Sequence, residues 1–222
     1  MSKPIWPSMF HATEGVEDWR VTSEGACAFY HTSSFVESAR LLAEVGKLPG
    51  IEKRPPDIDL RRDGVTFRLK TITDNFYGIT DRDLELAREI SGVARGMGLA
   101  AETGRVQSIL VIPGATDTAA IMPFWEAALG YQRRADSPTE DLVDPRRRGP
   151  DFYFESMMEP RGDGGGTIHV SVWVPYDQCE ARIAAALDAG GRLVSDDSAP
   201  RWWTLADAAG NEVCVATSPG PG

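Results

Sequence analysis

Val106-Gln107-Ser108-Ile109-Leu110-Val111-Ile112 and Ile168-His169-Val170-Ser171-Val172-Trp173-Val174 open two stretches with the same order of elements. That repetition decides the fold of the second half. Each is a short apolar run rich in β-branched residues, which reads as a strand. A helical pattern follows each one. The first runs from Asp117 to Leu129, with Ile121, Phe124, Trp125 and Ala128 inward, and the second from Tyr176 to Ala189. Three further short strands come next, ending with Asp151 to Glu155 in the first copy. In the second they lie near Leu193, Trp202 and Glu212 to Ala216, and Gly162 to Gly166 is a flexible connector between the copies. Two βαβββ units in succession are an internal repeat. Packed side by side, their curved sheets enclose one cavity.

Upstream the grammar changes. Trp19 to Val21 and Ala26 to Tyr30 read as strands about a Ser23-Glu24-Gly25 turn. Ser33 or Ser34 caps a helix carrying Phe35, Ala39, Leu42 and Val45. Asp57 to Leu60 and Val65 to Leu69 form a second hairpin about Asp63-Gly64. Thr80 caps a second helix, with Asp81 and Asp83 at its positive end and Leu86, Ala87, Ile90, Val93 and Ala94 on one face. The expected fold class is α+β: an N-terminal four-stranded antiparallel sheet with helices on one face, then the two βαβββ units. The expected domains are residues 1–102 and 105–217, joined at Thr103-Gly104.

Composition narrows the partners. The chain has 222 residues, 42% hydrophobic and 25% charged, as in ordinary globular proteins. A formal charge of −10 argues against nucleic acid, which needs a basic surface. Arg146-Arg147-Arg148, beside Asp141 and Asp144, reads as a solvated loop. No apolar run approaches the roughly 20 residues that span a bilayer, and the Lys3, Pro4, Pro7 start lacks a signal-peptide core. Three cysteines without metal spacing fit a reduced, cytoplasmic location. The expected partner is a small-molecule substrate, with no nucleic acid and no membrane; a homodimer is compatible with the sequence.

The first half resembles the pterin-4a-carbinolamine dehydratases. The resemblance rests on Pro56-Asp57-Ile58-Asp59-Leu60-Arg61, on Val65-Thr66-Phe67-Arg68-Leu69, and on Ile79-Thr80-Asp81-Arg82-Asp83-Leu84-Glu85-Leu86-Ala87. That family uses a His-His-Pro segment and a third histidine after the second strand of the hairpin. The corresponding positions here are Arg54, Pro55 and Ile72, and Asn75-Phe76-Tyr77 sits in a longer loop. Histidine serves there because it exchanges protons near neutrality, which none of the three replacements does. One reading is a retained scaffold or dimerisation module. The other is a re-lined pocket in which Arg54 binds an anion while Phe76 and Tyr77 stack on a planar ligand.

The second half resembles the vicinal-oxygen-chelate superfamily, which includes glyoxalase I, extradiol dioxygenases and bleomycin-resistance proteins. The residues are Phe124-Trp125-Glu126-Ala127-Ala128-Leu129-Gly130-Tyr131, Ile168-His169-Val170 and Ala206-Asp207-Ala208-Ala209-Gly210-Asn211-Glu212. Metal-using members take one ligand from each of four strands, which implies Ser108, Glu155, His169 and Cys214 here. Only Glu155 and His169 match usual ligands, so the expected cofactor is none, with a divalent metal on Glu155, His169 and Cys214 as the minority reading. Glu155 and His169 are instead the candidate general acid–base pair. Ser108, Tyr153, Trp202 and Trp203 are candidate substrate contacts, with one of the two tryptophans inward and one outward. Trp125 and Trp173 read as core.

The function these residues imply is an enzyme of specialised metabolism, a lyase or isomerase, moving protons on a small organic substrate. Alternatives are a drug- or metabolite-sequestering protein and a metal-dependent glyoxalase-like lyase. Without its three histidines the chain is not an active pterin carbinolamine dehydratase. Purified protein added to a 4a-hydroxytetrahydropterin should leave the rate of dehydration, followed by absorbance, at its spontaneous value.

Overall fold

The computed structural model describes residues 2–158, 167–206 and 212–221, apart from the side chains of Phe124, Ala128 and Thr167. The Gly162 to Gly166 connector and residues 207–211 lie outside the described residues. The first half contains α1 (Pro7–His11), β1 (Arg20–Thr22), β2 (Gly25–His31), α2 (Phe35–Val45), β3 (Asp57–Arg61) and β4 (Gly64–Leu69). A small hairpin of β5 (Thr71–Thr73) and β6 (Phe76–Gly78) follows, then α3 (Asp81–Gly96). Strands β1 to β4 form an antiparallel sheet in the order β1-β2-β4-β3. The segment read as a loop at Asn75-Phe76-Tyr77 is mostly strand: Thr73 pairs with Phe76 and Ile72 with Tyr77.

Local chemistry explains where the helices start. The Ser34 hydroxyl accepts the Glu37 N–H at 3.2 Å, and the Glu37 carboxylate accepts the Ser33 N–H at 2.6 Å. At α3 the Asp83 carboxylate accepts the Thr80 N–H at 2.7 Å, the Thr80 hydroxyl at 2.8 Å and the Thr71 hydroxyl at 2.6 Å. It therefore caps the helix and ties it to β5. Both helices cover one face of the sheet. Ala26, Ala28 and Tyr30 of β2 and Val65, Phe67 and Leu69 of β4 alternate toward Leu41, Val45, Ala87 and Ile90. Trp19 closes this core, its indole N–H donating to the Ala87 carbonyl at 3.1 Å and to Ser91 Oγ at 3.0 Å.

The connection is not a free tether. Glu102 N–H donates to the Phe29 carbonyl at 2.9 Å, Ala101 bridges to Tyr30, and Arg105 pairs with Asp63 at 2.8 Å. The chain thus runs along β2 before it enters β7 (Ser108–Ala115).

The first unit continues through α4 (Thr118–Leu129), β8 (Gln132–Arg134), β9 (Ser137–Val143), β10 (Asp151–Tyr153) and β11 (Glu155–Ser156). The second is β12 (Thr167–Trp173), α5 (Cys179–Asp188), β13 (Arg192–Ser195), β14 (Trp202–Ala206) and β15 (Glu212–Ala216). They share one sheet in the order β13-β14-β15-β12-β7-β10-β9-β8, with β11 beside β7. The repeat is visible in the pairing. Within each unit the first strand pairs parallel with its fourth strand, and the units join through antiparallel β7 and β12. Under α4 lie Met122, Leu142, Phe152 and Phe154, with Ile121 and Trp125 at the edge; under α5 lie Val174, Leu205 and Val215. Among the described residues no helix is long and apolar enough to cross a membrane.

Asp83→Ala leaves two buried threonine hydroxyls and the Thr80 N–H without their shared acceptor. The expected cost is about 2 kcal/mol, read as a lower urea midpoint at unchanged slope.

Candidate functional site at the junction of the halves

The second face of the N-terminal sheet is not solvated. Alternation turns Cys27 and Phe29 toward Val106, and sends Asp57, Arg68 and the residue after β4, Lys70, toward the second half. The contacts there are mostly polar. Arg147 pairs with Asp57 at 2.7 Å, Arg68 with Glu24 at 3.1 Å, and Ser23 Oγ with Ser108 Oγ at 2.7 Å. Arg146-Arg147-Arg148, expected as a solvated loop, is therefore partly a docking element. Asp144 shapes it by accepting the N–H groups of Arg146, Arg148 and Gly149, which hold its carboxyl well below the usual range. A second tie lies at the other edge. Arg20 pairs with Asp177, and His11 Nδ1 donates to the Pro219 carbonyl while Nε2 accepts the Val21 N–H.

Between these ties lies a cavity of about 420 Å³, walled mainly by Trp6, Val21, Phe76, Tyr77, Ile79 and Trp173. Lys70 lines it, and also lines a small polar recess shared with Arg68, Arg147 and Asp151. The Lys70 ammonium donates to the Ser23 carbonyl at 2.8 Å and sits 3.8 Å from the centroid of the Tyr77 ring. Tyr77 donates its phenol to Asp151 Oδ2 at 3.1 Å, and Arg134 approaches the same ring at 4.9 Å. Burial dominates the proton affinities. It lowers Lys70 to about 8, against the opposing charge of Asp151. It also raises Asp151 and raises Tyr77, which stays a proton-bearing phenol at any working pH. The Trp173 indole N–H, at the cavity wall, is buried without a hydrogen-bond partner among the described residues.

This site gathers Phe76 and Tyr77 from the sequence candidates but not Arg54. Arg54 lies in a separate recess beside α3 with Arg82, Glu85 and Glu89, while Pro55 is exposed and Ile72 is 45% exposed. Trp173, read as core, is a cavity wall. Lys70, Asp151 and Trp6 were missed. Lys70 did leave a trace: the chain has four lysines among 23 basic residues, and this one follows the end of an apolar strand.

The remaining candidates share the face of the nine-stranded sheet turned away from α4 and α5. Glu155 lies opposite Gly114, His169 opposite Ile112, and Cys214 opposite Ser171. Alternation puts Tyr153 and Trp202 on that face as well, whereas Trp203 packs under α5. Burial raises the Tyr153 phenol and the Cys214 thiol, and the Glu155 charge adds to both shifts. Glu155 itself is exposed. The metal-ligand set does not fit. Ser108 pairs with Trp173, four residues and about 13 Å along β7 from the His169 level. It is also engaged with Ser23, and no cluster of three or more His, Cys, Asp or Glu side chains occurs among the described residues.

Known proteins are similar to the two halves separately. Residues 110–216 match the glyoxalase-like domain family, and residues 9–93 match the pterin 4 alpha carbinolamine dehydratase family. A putative pterin-4-alpha-carbinolamine dehydratase of Nocardia farcinica is 32% identical over 84 residues, 38% of this chain and 86% of the relative. Another, of Mycolicibacterium vanbaalenii, is 36% identical over 61 residues, 28% of this chain and 63% of the relative. A glyoxalase/bleomycin resistance protein/dioxygenase superfamily member from Vibrio splendidus covers 50% of this chain and 99% of its own, at 16% identity and TM-score 0.33. An NAD-dependent benzaldehyde dehydrogenase structure from Legionella pneumophila shows the same coverage at 14% identity and TM-score 0.37. Through its first half the chain belongs to the pterin-4-alpha-carbinolamine dehydratase family, and that half is joined to a glyoxalase-like domain.

Proposed function

We propose that the chain is a lyase or isomerase that moves protons on a small planar substrate held in the cavity between the halves. The observation that carries this reading is Lys70: an amine enclosed by protein, facing an aromatic chamber, with a proton affinity near neutrality. Phe76 and Trp173, with the exposed Trp6 at the rim, supply flat apolar surfaces that orient a ring. Lys70 takes a proton from the substrate and returns it at another position. The Tyr77 ring holds the resulting ammonium, and Asp151 balances its charge through the phenol. Dehydration, isomerisation and cyclisation all reduce to such a transfer. The reading moves the acid–base group from Glu155 and His169 to the junction. It places neither a metal nor a nucleotide in the mechanism.

Burial of Lys70 has a measurable sign. Its folded pKa, about 8, lies below its ordinary value of 10.5. Between those values the unfolded chain binds the proton more tightly, so this group's contribution to stability rises with pH through that window. At pH 7 the folded state bears the full penalty, on the order of 3 kcal/mol, less about 1 kcal/mol returned by the bond to Ser23. Lys70→Met should therefore be more stable than wild type by about 2 kcal/mol at pH 7. The gap in urea midpoint should narrow toward pH 10.

That variant also tests the function, since it stays folded. In a host lacking this gene, wild type should clear an accumulated precursor that Lys70→Met leaves in place. Clearance by Lys70→Met together with failure of Glu155→Ala would move the chemistry to the open sheet face and overturn the reading. An unchanged metabolite profile with new sensitivity to a compound would favour sequestration.

A further inference from the structure

We propose that the ligand of the junction cavity is a planar aromatic aldehyde or ketone, and that Lys70 Nζ condenses with its carbonyl carbon to form an imine. The inference rests on the reading of the cavity as the substrate site, adds the substrate's functional group, and replaces Lys70 the proton carrier with Lys70 the covalent electron sink.

Two features of the chamber select a carbonyl compound. First, four aromatic side chains line it, Trp6, Phe76, Tyr77 and Trp173, so a conjugated ring finds stacking partners. Second, Lys70, the lysine that lines this apolar space among the described residues, has its ammonium held by a carbonyl oxygen and a π face, not by a carboxylate. Neither contact is a close ion pair that would lock the proton on nitrogen. Lys70 can shed the proton without leaving a bare anion against it, because the nearby carboxylate of Asp151 already receives the Tyr77 phenol.

The condensation balances without a further reagent. The neutral amine attacks the carbonyl carbon, and the C–O π pair moves to oxygen. A proton passes from nitrogen to oxygen and gives the carbinolamine. Protonation of that hydroxyl expels water as the C=N bond forms, and the product is a protonated imine. The net change is ammonium plus carbonyl giving iminium plus water, with no oxidation or reduction. Where the carbonyl carbon also bears an alkyl carbon, as in an aryl alkyl ketone, the iminium draws electrons from that carbon and acidifies its C–H, which is the activation that an isomerisation or a β-elimination needs. Tyr77, 3.8 Å from Nζ by its ring centre, stabilises the cationic nitrogen in both states.

The test uses the full chain, 2-naphthaldehyde at low concentration, pH 7 and sodium cyanoborohydride, followed by peptide mapping. Lys3, Lys47 and Lys53 are internal controls, since the chain has no other lysines. The naphthylmethyl label should appear at Lys70 roughly tenfold or more above each control, as expected for an amine with a larger neutral fraction. Lys70→Arg should abolish that label and spare the others. In parallel, 2-naphthalenemethanol, which cannot condense, is titrated against tryptophan fluorescence, with Trp6→Phe as the variant that reports the cavity. Saturable quenching that Trp6→Phe weakens, without preferential labelling of Lys70, overturns the imine and leaves the cavity reading standing. Equal labelling of all four lysines without quenching overturns both.

Discussion

Charge taken out of water must find a partner, and the contact between the two halves obeys that constraint throughout. The N-terminal sheet has an apolar face under its helices and a second face carrying Asp57, Arg68 and Lys70. A face of that composition can be covered only by a surface that answers it group for group. The second half does so with Arg147 and Asp151, the hairpin adding Glu24 and the Ser23 carbonyl. Such pairs add little net stability over an apolar interface, because desolvation offsets most of the attraction. What they fix is orientation: a sheet rotated or slid from this position would leave several half-buried charges unanswered.

The same constraint accounts for the position of the cavity. A jigsaw of rigid ion pairs leaves gaps that side chains do not fill, and here the gap falls between the β1–β2 turn, the β5–β6 hairpin and Trp173. Neither half encloses it alone. The dehydratase-like half carries Arg54, Pro55 and Ile72 where the resemblance implies histidines, and among the described residues the glyoxalase-like half gathers no cluster of metal-ligating side chains. Their junction supplies an amine, a phenol and a carboxylate instead.

How much of this could be read from the sequence follows the range of the interactions. Caps and turns involve neighbours a few residues apart, so Thr80 with Asp83 and the Asp63-Gly64 hairpin were legible, as was the doubled βαβββ order. The side of each strand that faces a helix also follows from alternation. What alternation cannot tell is what covers the opposite side. Arg147 looked like a loop charge and Trp173 like core, and Lys70 drew no reading, because each finds its place only when a strand some 40 to 100 positions away is known. Phe76 and Tyr77 were read as candidate aromatic ligand contacts and do line the cavity, yet the Tyr77 partner Asp151 was not singled out. Arg54, recognised with them, turns out to serve a different recess.

Lys70 gains one more property from its location. Its basicity is not fixed by its own half, since the atoms that exclude water from it come from both. If the halves part, the amine regains hydration and its pKa climbs back toward 10.5. By reciprocity, whatever pulls the proton off draws the halves together. Docking and deprotonation thus draw on one free energy, and a single acid–base titration of this amine would report how firmly the molecule is closed.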